Sequence, residues 1–199
     1  MTPLRELCQA ISACTKCSLA KGRTKAVPGE GPEDAELMFI GEGPGYNEDQ
    51  QGRPFVGQAG KFLEQRLTSI GLNRNQVYIC NVVKCRPPAN RDPLPLEIET
   101  CRPWLDQQIE MINPKVIITL GRYSLARFFP NETISKIHGK VLKLDQRACI
   151  AMYHPAAALH QPNLRKAIEE DFKKIPEIIR GKQEPARMES RVEQLGFKL

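Results

Sequence analysis

Apolar positions along this chain follow two rhythms. Unbroken runs at 36–40, 77–83, 115–120 and 147–152 carry Val, Ile, Leu, Phe and Cys with few polar interruptions. Segments near 58–70, 95–112, 121–129 and 164–180 instead repeat apolar residues every third or fourth position. An opening stretch, 3–13, sets Leu4, Leu7, Cys8 and Ile11 on one helical face. Short continuous runs alternating with amphipathic helices predict an α/β protein with a parallel sheet covered on both faces. Loop 84–95, KCRPPANRDPLP, carries four prolines and cannot be regular. Segment 181–199 is polar and reads as a tail or frayed helix. With no internal repeat or long linker, residues 1–180 read as one domain.

Composition narrows the class. The chain has 199 residues, 41% hydrophobic and 26% charged, as expected of a soluble globular protein. No apolar run is long enough to span a bilayer, and MTPLRELCQAIS lacks the apolar stretch of a secretory signal, so a cytoplasmic location is expected. The net charge of +6 is a mild pull toward polyanions. The seven cysteines, an odd number without an export signal, argue against a disulfide framework. Cys80 and Cys149 sit inside apolar runs and read as small buried hydrophobes. Cys14 and Cys17 form a C-x2-C in a polar stretch, Cys85 follows a strand, and Cys101 opens a helical turn. These four suit a structural zinc or an iron–sulfur cluster; fifteen residues between Cys85 and Cys101 fit zinc less well, and Cys8 is a nearby spare.

Ligand chemistry in such a sheet collects where parallel strands end. The first run opens into GEGPGYNEDQQGRPFVGQAG, residues 41–60, whose glycines admit close backbone approach and whose Phe55 offers a flat face. The second run ends near Asn81, Lys84, Cys85 and Arg86, the third at Gly121 and Arg122, and the fourth at His154-Pro155-Ala156-Ala157. A Glu, an Asn, a His and an aromatic ring thus converge on one edge. Together they can read a base's hydrogen-bonding edge, stack on its face and stabilise developing negative charge.

Four motifs together, GEGPG, GRPFVGQAG, NVVKCRPPANR and HPAAAL, resemble the family-4 uracil-DNA glycosylases, the iron–sulfur branch of that superfamily. The resemblance runs from about Cys14 to Ile179. It implies a three-layer α/β/α sandwich around a four-stranded parallel sheet, uracil-containing DNA as partner, a monomer, and hydrolysis of the uracil N-glycosidic bond that leaves an abasic site. Cys14, Cys17, Cys85 and Cys101 occupy the family's 4Fe–4S positions, which decides between the two metal readings where spacing left both open. Gly41 and Gly43 line the base site, Phe55 stacks on uracil, Asn81 reads its edge, Glu48 crowds the pyrimidine C5, and His154 donates to O2. Family-1 enzymes carry an acidic water-activating residue where this chain has Gly43, so Glu42 and Asn90 both stand as candidates for positioning the water. Lys84, Arg86, Arg91 and Lys140 are candidate phosphate contacts, and Leu159 a wedge for the gap left by a flipped base. His160 follows where the family more often has Arg.

Two other readings stay open. A small iron–sulfur redox or sensor protein would have no need of Asn81 and His154. A related branch of the superfamily becomes covalently linked to the abasic sugar through a His in a loop matching His138. That branch has Gln where this chain has Gly43 and carries an Arg-rich insertion here absent, so a turnover enzyme is expected, with His138 at a DNA phosphate.

Overall fold

The structure, a computed structural model, describes residues 2–144 and 146–181. The expected polar tail falls, beyond residue 181, outside the described residues. The core is a five-stranded sheet of β1 (Leu37–Gly41), β2 (Tyr78–Asn81), β3 (Val116–Leu120), β4 (Val141–Leu144) and β5 (Arg147–Met152), in the order β2-β1-β3-β5-β4. The four strands read from the sequence are parallel, with Ile40 opposite Cys80 and Thr119, and Leu120 opposite Met152. To these the structure adds β4, antiparallel to β5 at the sheet edge. Its four residues include an exposed Lys143, too short and too mixed a run to stand out in the sequence.

Ten helices are described: α1 (Pro3–Ala13), α2 (Leu19–Gly22), α3 (Tyr46–Gln51), α4 (Gln58–Ser69), α5 (Pro95–Ile112), α6 (Arg122–Phe128), α7 (Ile134–Ile137), α8 (Ala157–His160), α9 (Pro162–Phe172) and α10 (Ile175–Ile179). Strand side chains alternate between two apolar layers. Met38, Ile40, Cys80, Ile117 and Cys149 pack with Leu7, Ile11, Leu105, Leu125 and Ile137 from α1, α5, α6 and α7. Leu37, Phe39, Ile79, Ile118 and Ile150 pack with Leu63, Leu67, Ile168, Phe172 and Ile178 from α4, α9 and α10. This is the three-layer α/β/α arrangement. The segment read as one helix over 164–180 divides into α9 and α10, with Pro176 near the start of the second.

Strand β1 has β2 on one side and β3 on the other, so the chain leaves its carboxyl end in opposite directions and opens a crevice there. A buried carboxylate is one of the groups that tie down loop 84–94 beside this crevice. Buried Glu97 accepts from Arg91 Nη2 and Nη1 (2.7 and 2.9 Å), the Leu94 N–H (2.8 Å) and the Ser18 hydroxyl (3.0 Å). Those donors hold its carboxyl down to about 2, Arg91 contributing most.

Candidate active site

At the carboxyl ends of the parallel strands lies a cleft of about 400 Å³, lined by residues from every motif described above, among them Glu42, Glu48, Phe55, Asn81, Asn90 and His154. Asn81, the last residue of β2, is 1% exposed, and its Oδ1 has no hydrogen-bond partner among the described residues. A buried carbonyl oxygen left unpaired is costly unless a donor arrives. Gly41 makes the arrangement possible: a Cβ there would strike Asn81 Oδ1 and come within 2.6 Å of the Phe55 ring. Phe55 is buried and stands 5.5 Å from the His154 ring, at 30° to it.

His154 follows β5. Its Nδ1 accepts the Ala156 N–H at 3.2 Å, which leaves the proton of a neutral imidazole on Nε2. Desolvation pulls its pKa down to about 4, against the opposing charge of Glu48, so the ring is neutral near pH 7. Glu42, just past β1, moves the other way. Burial first, then the nearby charge of Asp92, raise its pKa to about 7, partly countered by Arg122. Such a carboxyl is half ionised near neutrality, which suits a general base. Asn90, exposed and in a left-handed conformation (φ 55°), has its Oδ1 occupied by Arg86 Nε at 2.8 Å. Arg86 in turn lies 5.1 Å from the Tyr46 ring centroid.

Two expected phosphate contacts change. Lys84 is 1% exposed and its Nζ donates to the Asn81 carbonyl (2.7 Å) and Gln108 Oε1 (2.6 Å), so it braces the end of β2 from inside and does not reach a DNA phosphate. Arg91 lines the cleft, but its guanidinium is committed to Glu97. Glu48 also lines the cleft, yet its carboxylate accepts the Gly45, Val56 and Gly57 N–H groups (3.1, 2.8 and 2.8 Å), so its charge serves the loop. His138 stands apart from the cleft-lining residues. Its Nδ1 meets buried Asp171 at 2.8 Å and its ring packs on Tyr153. Lys140 and Leu159 are exposed.

A second pocket is lined by Cys14, Cys17, Cys85 and Cys101 together. Arg23 Nη1 donates to Cys85 Sγ (3.0 Å) and the Lys84 N–H to Cys101 Sγ (3.3 Å). Among the described residues no three ligands close around a single metal ion. Four thiols around one pocket, two of them taking N–H donors, are a donor set that suits an iron–sulfur cluster. The spare, Cys8, faces the Tyr78 hydroxyl, while Cys80 and Cys149 lie in the core as read.

Residues 28–175 match the family described as the Uracil DNA glycosylase superfamily. The chain is 53% identical over 188 residues to the type-4 uracil-DNA glycosylase of Sulfurisphaera tokodaii, covering 89% of this chain and 86% of that protein. It is 49% identical over 195 residues to the type-4 enzyme of Archaeoglobus fulgidus (93% and 97% covered) and 48% over 192 residues to that of Saccharolobus solfataricus (92% and 89%). Type-5 uracil-DNA glycosylases match more distantly, at 29% over 150 residues for Pyrobaculum aerophilum. With that geometry and those relatives, the chain belongs to the uracil DNA glycosylase superfamily, within its type-4 family.

Proposed function

We infer that this protein removes uracil from DNA, hydrolysing the N-glycosidic bond and leaving an abasic site for repair. The observation that carries the reading is the unpaired, buried Oδ1 of Asn81 in a cleft shared with Phe55 and His154. Uracil inside a duplex is out of reach, so the nucleotide is flipped into the cleft. Uracil N3 carries a hydrogen that Asn81 Oδ1 can accept, whereas cytosine N3 presents a lone pair, a mismatch worth roughly 1–3 kcal/mol per lost bond. Phe55 stacks on the base, and the wall that includes Glu48, Gly41 and Gly43 leaves little space for a thymine methyl.

As the bond to C1′ stretches, the sugar becomes oxocarbenium-like and uracil gathers negative charge. His154, neutral with its proton on Nε2, donates to O2 and holds that charge. Glu42 takes the role of orienting and deprotonating the water: its pKa of about 7 suits the task, and Asn90 has its oxygen engaged by Arg86. Asn90 then serves to set Arg86 beside the DNA backbone. Arg86, Lys140 and His138 contact phosphates, and Leu159 fills the space the uracil leaves. Cys14, Cys17, Cys85 and Cys101 hold a 4Fe–4S cluster away from the reacting base. Bound, the cluster supplies a rigid cross-link between the α1–α2 segment, loop 84–94 and α5. The working state is a monomer in the cytoplasm, drawn to the nucleoid by DNA.

Two results would test this. Excision should rise with pH around a midpoint near 7 and then level off, because Glu42 is active only as its carboxylate and His154 is neutral throughout that range. Glu42→Gln should abolish the rise and slow the reaction about 10²-fold; an unchanged profile would put the base elsewhere. Asn81→Asp should slow uracil release by roughly 10- to 100-fold and narrow the preference for uracil over cytosine. A variant as fast and as selective as the parent would move the base-reading group away from Asn81.

A further inference from the structure

Phe55 sits in a conformation an unbranched turn would not hold by itself. Its φ is 50°, in the left-handed region that L-residues with large side chains rarely adopt. Three contacts keep it there. Arg74, which lies between two pocket motifs in sequence and is not part of the cleft wall, donates from Nη1 to the Phe55 carbonyl at 2.9 Å and from Nη2 to the Pro54 carbonyl. On the other side, Glu48 accepts the Val56 and Gly57 N–H groups. Below, α4 approaches so closely that a Cβ on Gly60 would collide with the Phe55 carbonyl.

Arg74 is itself fixed. Its side chain is 11% exposed, and its Nε donates to Glu30 Oε1 at 2.7 Å, while Arg53 holds the same carboxylate from its own Nε (2.6 Å) and Nη2 (2.9 Å). These two guanidinium groups lower the Glu30 pKa, so the acceptor stays charged. Glu30 is in turn bridged by backbone hydrogen bonds to Ile79 of β2, N–H to carbonyl in both directions (2.9 and 2.7 Å). Asn81 closes that same strand two residues later. The ring that stacks and the amide that reads are therefore referenced to one strand.

We propose that Arg74, anchored by Glu30, is a positioning residue for base recognition, pre-setting Phe55 in its left-handed turn before the nucleotide flips in. This rests on the reading that Phe55 stacks on uracil. A ring already in place gives up no ordering entropy when the base arrives, and a misplacement of about 1 Å can cost about 10²-fold in rate. Without the fork, Phe55 relaxes toward ordinary φ values and its ring leaves the cleft.

The test is a double-mutant cycle of Arg74→Ala and Phe55→Ala, read as single-turnover excision from a uracil-containing oligonucleotide. Arg74→Ala should slow excision roughly 10- to 100-fold in the parent and less than about 3-fold once Phe55 is Ala, because the residue acts through that ring. Affinity for abasic-site DNA should change little. Arg74→Lys, which keeps the charge beside Glu30 and gives up the fork, should show the same coupling at smaller size and serves if the Ala variant fails to fold. Equal losses in both backgrounds would make Arg74 a general stability residue and overturn the proposal. So would a slow Phe55→Ala beside an unimpaired Arg74→Ala. A Phe55→Ala protein as fast as the parent would overturn the stacking reading itself, and the clamp with it.

Discussion

His154→Ala should slow uracil excision by about 10²–10³-fold while leaving affinity for DNA nearly unchanged, the size expected when one donor to a developing oxyanion is removed. The size of the effect follows from where the imidazole keeps its proton. Ala156 N–H occupies Nδ1, and burial keeps the ring neutral down to about pH 4, so only Nε2–H is available to the leaving base. That bond gains strength as charge grows on O2, so its loss falls on the chemical step and not on binding. Comparing single-turnover rates with the dissociation constant for abasic-site DNA separates the two. A His154→Ala protein with weakened binding and an unaltered chemical step would assign His154 to DNA grip.

Cys85→Ser or Cys101→Ser should bleach the protein, remove about four irons per chain and strip away most activity through loss of order in loop 84–94. Each cysteine is buried and lies beside a residue that shapes the catalytic cleft. Cys85 adjoins Arg86, whose Nε orients Asn90, and Cys101 receives the N–H of Lys84, the brace beneath Asn81. Iron analysis and visible absorption read the cluster directly, and thermal melting reads the loop. Cys80→Ala and Cys149→Ala should keep the colour and cost at most about 2–3 kcal/mol, since both are fully buried, Cys149 among apolar side chains and Cys80 with Lys84 also beside it. Colourless, zinc-loaded and fully active parent protein would contradict the cluster.

The four parallel strands were legible because both their faces are buried, which leaves unbroken apolar runs even in β2 at the sheet edge. Strand β4 was not, since an edge strand of four residues with Lys143 facing solvent resembles a loop. The cleft residues were legible as strand ends followed by glycines, and Asn81, Glu42 and His154 all fall there. What spacing could not show was direction. Lys84 stands next to Arg86 in a charged turn, yet its four-carbon stem runs inward to Gln108 on α5, a partner twenty-four residues away. Glu48 lines the cleft, but spacing could not show that its carboxylate also accepts three backbone N–H groups and so shapes the loop. Arg74 had no signal, because its partners are backbone carbonyls, which carry no sequence identity, and a carboxylate forty-four residues earlier. The near-neutral carboxyl of Glu42 likewise depends on burial and on the charge of Asp92, fifty residues later in the chain.

Base release reads uracil excision most directly. Purified protein incubated with an end-labelled oligonucleotide containing one uracil, then treated with alkali and run on a denaturing gel, should give strand breaks at the uracil alone. None should appear with cytosine or thymine at that position, and no band should be shifted by the mass of the protein. Intact strands after alkali would contradict uracil excision, and a protein-shifted band lost in His138→Ala would replace turnover by covalent capture.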